Sequence, residues 1–263
     1  MISNLTVINP SAKIGSNVTI DAFTTIYGDV EIGEGTWVGP NVTIFDGARI
    51  GKNCKIFPGA VISAVPQDLK YEGEETIAEI GDNTTIREFV TINRGTVAAG
   101  KTAVGSDCLL MAYVHVAHDC IIGDNVILAN GVTLAGHIEI DDYAIIGGLS
   151  AVHQFVKIGS HVMVSGGSLI RKDVPPFVMA AREPLSYVGI NSVGLKRRGY
   201  SPEQIQVIQN IYRIIFTKGL NTSKAVAQVE SEISDNEEKT LIINFISEST
   251  RGLIKGYTTG SDD

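Results

Sequence analysis

Four of the five histidines in this chain of 263 residues fall within one stretch, and imidazole is the side chain best suited to proton transfer near neutral pH. They are His115, His118, His137 and His153. A histidine that faces outward can act as a general base, because its ordinary pKa lies near ~6.5. The alternatives are a zinc site formed by histidines of neighbouring chains and a solvated surface without function. His161, the fifth histidine, is given no role.

A six-residue repeat runs through most of the chain and predicts the elements that carry these histidines. Steps of six from Ile2 to Ile170 give 29 positions, and 26 of them hold Ile, Val or Leu. A second series, two residues earlier, holds small residues such as Thr24, Val42 and Cys108. Positions two apart point to the same side of an extended strand, so each hexapeptide predicts a short strand with two inward side chains. Three such strands close a triangular coil, which predicts a mainly β fold, the parallel β-helix of the hexapeptide type.

This repeat places the histidines along one outer edge. The step from His118 to His137 and the step from His137 to His153 are each close to the length of one coil, which is three hexapeptides. Their offsets from the inward positions put them at turns or on the outside, and the same holds for His115. Asp119 follows His118 directly and is a candidate to orient its ring. The prediction is a ridge of imidazoles on successive coils.

Composition excludes several classes of protein. The 21 basic and 29 acidic residues give a net charge of −8, which argues against a general nucleic-acid binder. The three cysteines occupy inward positions of the repeat, which predicts inert packing and neither a disulfide framework nor a zinc site. The sequence shows no signal peptide and no run of about 18 apolar residues. We therefore expect a cytoplasmic protein without a membrane span.

Gaps in the repeat predict where the chain leaves the β-helix. The register fails at Asp68 and Glu74, which predicts a loop at about 63–79. It fails once more at Ala98, which predicts a smaller loop at about 97–102. Loops that project from a rigid repeat often carry binding residues.

The repeat ends at Pro175 and Pro176, because proline cannot donate to a strand ladder. The predicted domains are therefore a β-helix over residues 1–175 and a small helical domain over 176–263. Within the second domain, a helix is expected to begin at Ser201–Pro202 and to end at Gly219. Weaker helical patterns cover about 222–233 and 237–249, and the tail after Tyr257 is expected to be loose.

Several segments closely resemble one family of acyltransferases. The segments are residues 67–71 (QDLKY), 93–96 (NRGT), 111–120 (MAYVHVAHDC), 134–137 (LAGH), 151–155 (AVHQF) and 194–199 (GLKRRG). Together they resemble the UDP-N-acetylglucosamine 3-O-acyltransferases that begin lipid A synthesis, and the likeness covers essentially the whole chain. The resemblance implies a homotrimer of left-handed β-helices with active sites between subunits. It also implies transfer of a 3-hydroxyacyl chain from acyl carrier protein to the 3-hydroxyl of UDP-N-acetylglucosamine.

The resemblance also implies roles for particular residues. His118 matches the general base and the backbone N–H of Gly136 the donor to the oxyanion, while Asp119 is kept as a catalytic candidate because it follows His118. Gly166 lies where the family sets acyl length, and a glycine there leaves the groove deep and suggests a longer chain. The positions that match substrate-binding residues are Gln67, Asp68, Lys70, His115, His137, His153, Gln154, Gly166, Asn191, Arg197 and Arg198.

No cofactor or metal is implied, because the thioester on the phosphopantetheine of the carrier protein is already an activated acyl donor. The alternatives are the related hexapeptide N-acyltransferase of the same pathway and a trimeric, zinc-dependent enzyme like the carbonic anhydrases built on this fold. A non-enzymatic scaffold is the remaining hypothesis.

Overall fold

The computed structural model describes residues 1–256, and the loose tail predicted after Tyr257 lies outside the described residues. Short strands follow one another along the first two thirds of the chain. In chain order they are β1 (Val7–Ile8), β2 (Lys13–Ile14), β3 (Thr19–Ile20), β4 (Thr25–Ile26), β5 (Val30–Ile32), β6 (Trp37–Val38), β7 (Thr43–Ile44), β8 (Ala48–Ile50), β9 (Lys55–Ile56), β10 (Val61–Ala64), β11 (Ile77–Ile80), β12 (Thr85–Ile86), β13 (Thr91–Asn93), β14 (Lys101–Val104), β15 (Leu109–Leu110), β16 (His115–Val116), β17 (Ile121–Ile122), β18 (Ile127–Leu128), β19 (Thr133–Leu134), β20 (Glu139–Ile140), β21 (Ile145–Ile146), β22 (Ala151–Val152), β23 (Lys157–Ile158), β24 (Met163–Val164) and β25 (Leu169–Ile170). The C-terminal part contains β26 (Val178–Ala181), β27 (Ser186–Ile190), α1 (Ser192–Arg197), α2 (Pro202–Thr217), α3 (Thr222–Glu232), α4 (Glu237–Glu248) and β28 (Lys255–Gly256).

Every third strand of the repeat belongs to the same sheet, so the chain winds around three sheets in turn. The first sheet has the order β1-β4-β7-β10-β13-β16-β19-β22-β25, and the second β2-β5-β8-β11-β14-β17-β20-β23. The third runs β3-β6-β9-β12-β15-β18-β21-β24-β26-β27-β28. All pairs are parallel except β26 with β27. This arrangement confirms the predicted β-helix of hexapeptide repeats.

The register of the ladders shows where additional chain enters. Partners are normally three hexapeptides apart, as in Val7 with Thr25 and Val116 with Leu134. Val61 pairs with Thr91, so the coil between them is longer than usual by two hexapeptide lengths. Thr91 pairs with His115, so the next coil is longer by one hexapeptide length. The insertions are the loops at 65–76 and 94–100, close to the two predicted loops, and both leave the edge where the first sheet meets the second.

The interior of the β-helix is the inward series of the repeat. Its small and branched side chains are almost completely buried, and Cys54, Cys108 and Cys120 are among them. Burial raises the pKa of all three thiols, to about 11 for Cys108 and about 12 for Cys120. The cysteines are unpaired and buried, which confirms that they pack as small apolar residues.

The third sheet continues past the proline pair at which the sequence predicts its end. β26 pairs with β24 through Met163–Met179 and Val164–Ala180. The prolines occupy a corner, where the flanking Val174 and Phe177 donate their N–H groups to the preceding coil. Proline is excluded from a ladder only where an N–H is needed, and none is needed at this corner. The ladder therefore extends through β26, beyond the predicted boundary at 175.

Three of the four C-terminal helices match the predicted segments. α2 begins with a capping box between Ser201 and Gln204, and α3 and α4 follow at 222–232 and 237–248. The fully buried hydroxyl of Tyr212 on α2 donates to the carbonyl of Pro176, which joins the helices to the last coil. Over residues 1–256, the helices lack the length and apolar character that crossing a membrane requires.

Candidate active site

The edge between the first and second sheets, which we call the histidine edge, carries the predicted imidazole ridge. Asp119, His137 and Phe155 occupy the same corner on successive coils, with φ of +60°, +60° and +65°. This left-handed conformation turns the chain sharply, so that the side chain of Asp119 lies beside that of its neighbour His118. On a plain extended strand the two side chains would point apart.

His118 and Asp119 form a hydrogen-bonded pair at the histidine edge. Nδ1 of His118 lies 2.8 Å from Oδ2 of Asp119, and the carboxylate is completely buried while the imidazole is 13% exposed. A carboxylate can only accept, so the proton of the neutral ring sits on Nδ1 and Nε2 is left as the basic nitrogen. The pair therefore holds the ring in the tautomer that a general base requires.

The carboxylate of Asp119 is fixed by the loop at 94–100. Thr96 donates twice, from its N–H to Oδ1 (2.9 Å) and from its hydroxyl to Oδ2 (2.6 Å), and the N–H of Ala99 donates to Oδ1 (3.3 Å). Burial alone would raise the pKa of Asp119, but the hydrogen bonds from Thr96 and His118 outweigh it and the pKa is lowered. Thr96 was not predicted as a site residue, because its contact arises from a loop whose path the repeat does not determine.

His137 completes the cluster from the next coil. Its ring stacks on Phe155 at 4.7 Å and meets the ring of His118 edge-on at 5.1 Å. Its Nε2 lies 3.7 Å from Oδ2 of Asp119. The structure thus brings His118, Asp119 and His137 together as predicted.

Gly136 lies against the face of the base. A Cβ at this position would be 2.6 Å from Cε1 and 2.8 Å from Nε2 of His118. Any side chain here would push the ring away, so the glycine leaves the backbone open to a group bound at Nε2. No backbone acceptor for its N–H is present in residues 1–256.

The same three side chains have ligand atoms within 4.8 Å of one another, which raises the question of a metal ion. The donor set does not favour one. Both oxygens of Asp119 already accept hydrogen bonds from Thr96, and Nδ1 of His118 is directed at the carboxylate. A metal would have to displace these bonds, so the arrangement fits a proton-transfer pair better than a zinc site.

The other predicted residues of this edge surround the cluster. His115 on β16 contacts the hydroxyl of Thr91 through Nδ1 at 2.7 Å, and burial, with a smaller effect of His118, lowers its pKa. His153 and Gln154 lie one coil beyond His137 and are exposed.

The loop at 65–76 carries Gln67, Asp68 and Lys70 and leaves the histidine edge at β10. Its first residues are held by Asn93, whose Nδ2 donates to the carbonyl of Val65 at 3.2 Å. The loop therefore rises from the same edge as the cluster, two coils before His118.

The remaining predicted residues lie elsewhere on the chain. Asn191 is buried, caps α1 through Gly194 and donates to the carbonyl of His161 at 2.9 Å. Arg198 turns inward, with its guanidinium over the ring of Tyr143 at 5.2 Å and an N–H 3.2 Å from the carbonyl of that residue. Tyr143 and His161 form the edge between the second and third sheets. The second sheet therefore separates these groups from the histidine edge of the same chain.

Gly166 and the exposed Arg197 are also separate from the cluster. Gly166 lies at the edge between the third and first sheets, just after β24, and Arg197 ends α1. A single chain does not assemble all the predicted residues into one pocket.

Family models and known proteins match this chain over nearly its whole length. Residues 173–254 match a model described as the second domain of UDP-N-acetylglucosamine O-acyltransferase. Residues 11–46, 29–64 and 101–136 match the bacterial transferase hexapeptide model. The acyl-[acyl-carrier-protein]–UDP-N-acetylglucosamine O-acyltransferase of Herminiimonas arsenicoxydans is 45% identical over 260 residues, which is 97% of this chain and 99% of the relative.

Solved structures show the same similarity. A UDP-N-acetylglucosamine acyltransferase from Bacteroides fragilis is 52% identical, with a TM-score of 0.95 over 97% of this chain and 100% of that chain. The UDP-N-acetylglucosamine acyltransferase from Campylobacter jejuni is 34% identical, with a TM-score of 0.92. The match covers 98% of this chain and 100% of that chain.

Proposed function

This chain belongs to the acyl-[acyl-carrier-protein]–UDP-N-acetylglucosamine O-acyltransferase family, and from that premise we propose that His118 is its general base, held by Asp119. The protein is an acyltransferase of lipid A biosynthesis whose substrates are an acyl-acyl carrier protein and UDP-N-acetylglucosamine. The observation that carries the assignment of the base is the 2.8 Å contact between Nδ1 of His118 and the buried carboxylate of Asp119.

The reaction follows from the tautomer of this pair. Nε2 of His118 removes the proton from the 3-hydroxyl of the sugar as the oxygen attacks the thioester carbonyl carbon. Asp119 stabilises the imidazolium that forms. When the tetrahedral intermediate collapses, the C–S bond breaks and the departing sulfur takes the proton back from Nε2. Such proton transfer contributes about 10²–10⁴ in rate.

The backbone N–H of Gly136 is the proposed donor to the oxyanion. The backbone of Gly136 lies beside the imidazole, because a Cβ at this residue would be 2.8 Å from Nε2 of His118, and we propose that one bound thioester meets both groups. A donor of this kind contributes roughly 10²–10³ in rate, because it is directed at charge that develops only in the transition state. No cofactor or metal is needed for this step, since the acyl group arrives as a thioester.

The proposed substrate-binding residues fall into two groups. Those at the histidine edge are Gln67, Asp68, Lys70, His115, His137, His153 and Gln154. Those away from it are Gly166, Asn191, Arg197 and Arg198. We propose that the second group serves the site of a neighbouring chain, with Gly166 beside a long 3-hydroxyacyl chain.

A homotrimer would bring these groups together. An exposed apolar ridge follows the edge between the third and first sheets, where Phe23, Phe89, Tyr113 and Leu149 are 52–78% exposed. Phe89 and Tyr113 stack at 5.3 Å. A row of exposed aromatic and aliphatic side chains is typical of an interface, and we propose that three prisms packed side by side cover it.

Replacement of the base tests the proposal. We expect His118→Ala to lose at least about 10²-fold in kcat while its melting temperature and oligomeric state remain those of the unmodified protein, because the imidazole is partly exposed and lies outside the core. The assay uses an acyl carrier protein loaded with a 3-hydroxyacyl chain, with mass spectrometry of the product. Normal turnover by a folded His118→Ala protein would refute the assignment.

The same product distinguishes the N-acyltransferase. An ester at the 3-hydroxyl is cleaved by mild alkali, whereas an amide survives it. An alkali-stable product formed only from an amino-sugar acceptor would favour that alternative, and activity lost to chelators would favour the zinc enzyme.

A further inference from the structure

The end of the chain places an arginine at the histidine edge. Nη2 of Arg251 lies 3.2 Å from Nδ1 of His153, although 98 residues separate them in the sequence. We propose that Arg251, together with His153, binds a phosphate group of a substrate. The inference rests on the proposed function and adds a residue to the site described above.

Backbone contacts hold the arginine in place. The buried carboxylate of Asp173 accepts from the N–H of Arg251 (3.2 Å) and the hydroxyl of Ser249 (2.6 Å). The N–H of Asp173 donates to the carbonyl of Gly252, and the N–H of Ile254 donates to the carbonyl of Asp173. The segment is thus fastened to the last coil independently of the guanidinium, which is directed toward His153.

The guanidinium of Arg251 differs from those of three other arginines in what it contacts. Arg49, Arg94 and Arg198 each donate to a backbone carbonyl. Within residues 1–256, Arg251 forms no ion pair with a carboxylate, and its buried Nε has no acceptor. A guanidinium is always charged and presents five donors, so this one retains donors for an anion.

The contact also favours one tautomer of His153. Arg251 can only donate, which favours a bare Nδ1 with the ring proton on Nε2. The carbonyl of Gln154 lies 3.1 Å from Nδ1, but a proton there would face the permanent charge of the guanidinium. His153 is exposed, so it offers an N–H outward beside the arginine. Two donors beside a permanent positive charge suit a phosphate ester.

Both substrates of the family carry such a group. UDP-N-acetylglucosamine has a diphosphate, and the carrier protein has the phosphodiester of its phosphopantetheine arm. The site lies about one coil beyond His137, so either phosphate is within reach while the reacting carbonyl sits at His118.

Substitution of the arginine separates the two sources. We expect Arg251→Gln to raise the KM for one substrate by about 10- to 100-fold, the loss typical of a charge-assisted hydrogen bond, with kcat changed less than about threefold. A rise in the KM for UDP-N-acetylglucosamine identifies the diphosphate. A rise in the KM for the acyl carrier substrate identifies the phosphodiester. Arg251→Lys should restore part of the loss.

Lys255→Ala is the matched control, because it removes one exposed positive charge from the same segment without touching His153. Melting temperatures of the variants show whether the segment stays folded. The proposal is overturned if both KM values remain unchanged in a folded Arg251→Gln protein. The function itself fails on a different observation, namely that the unmodified protein transfers no acyl group to UDP-N-acetylglucosamine.

Discussion

Thr96 connects the loop at 94–100 to the proposed base through the carboxylate of Asp119. Its hydroxyl donates at 2.6 Å to the same oxygen of Asp119 that accepts from Nδ1 of His118 at 2.8 Å. An acceptor that loses one donor binds the other more strongly. The strength with which Asp119 stabilises a positive His118 therefore depends on this hydroxyl.

Replacement of the hydroxyl should alter the pH profile without altering substrate binding. In Thr96→Val we expect the acid limb of the kcat profile to move to higher pH, because Asp119 then favours the protonated imidazole. On that limb kcat therefore falls, by roughly tenfold for a shift of about one pH unit. KM values should be unchanged. Thr96→Ser keeps the hydroxyl and is the control. An unshifted acid limb in Thr96→Val would contradict the link.

His161 is a partly buried histidine whose protonation affects the stability of the fold. It stacks between Tyr143 (4.9 Å) and Phe177 (5.6 Å), and the hydroxyl of Tyr200 lies 3.2 Å from its Nε2. Burial, with the nearby charge of Arg198, lowers the pKa of His161 from 6.5 to about 4. The folded protein therefore holds this ring neutral at pH values where the unfolded chain protonates it.

The lowered pKa of His161 makes the stability of the fold depend on pH. Between pH 6.5 and about 4 the unfolded state binds the extra proton, so the free energy of unfolding falls as the pH falls through this window, by at most about 3 kcal/mol. His161→Phe keeps a stacking ring and removes the titration. We expect its urea unfolding to depend less steeply on pH between 6.5 and 4 than that of the unmodified protein. Parallel curves would show that His161 is not the group responsible.

At the level of single residues, the sequence predicts the histidine edge, because the period of the repeat alone shows which residues share an edge. The contact between His118 and Asp119 needs more, since it depends on the left-handed corner at Asp119. Thr96 and Arg251 escape prediction for another reason. Their contacts cross 23 and 98 residues and depend on a loop path and on the docking of the chain end.

Among the elements, the strands of the β-helix are the most predictable, because a strict alternation of inward and outward side chains repeats on every coil. The end of the third sheet is less predictable, since the effect of Pro175 and Pro176 depends on whether they lie within a strand or at a corner. Helix α1 was not predicted. It has six residues and contains Gly194, so it lacks the periodic apolar face that reveals the longer helices.

The segment after α4 depends on one carboxylate. Asp173 is completely buried and accepts from the N–H groups of Lys157 and Arg251 and from the hydroxyl of Ser249. Asp173→Ala leaves these donors without a partner, so we expect a loss of about 3 kcal/mol in the free energy of unfolding. Hydrogen exchange should rise at 249–256, measured beside urea unfolding.

A second aspartate provides the control for this prediction. Asp142 also caps a coil, accepting from the N–H of Asp124 at 2.7 Å, but it is exposed. Asp142→Ala should cost less than about 1 kcal/mol, because water can replace the lost acceptor. If the two variants were equally stable, the docking of the terminal segment would not depend on Asp173.

At the scale of the whole molecule, one chain keeps the two proposed groups of site residues apart. The base lies on the histidine edge, while α1 with Arg197 is attached through Asn191 and Arg198 to the edge on the other side of the second sheet. A cyclic trimer places the edge of one chain against a different edge of the next, which is a heterologous interface that closes. The two groups can then meet in three equivalent sites.

Mixed trimers test this arrangement directly. We expect His118→Ala and Arg197→Ala proteins to be nearly inactive alone, measured with UDP-N-acetylglucosamine below its KM. In a 1:1 mixture that is unfolded and reassembled, each site draws His118 from one chain and Arg197 from its neighbour at random. Each of the two is intact half of the time, so about a quarter of full activity should return. Mixing without reassembly is the control. If activity after reassembly stays at the sum of the two separate proteins, both residues serve the site of a single chain and the proposed interface is wrong.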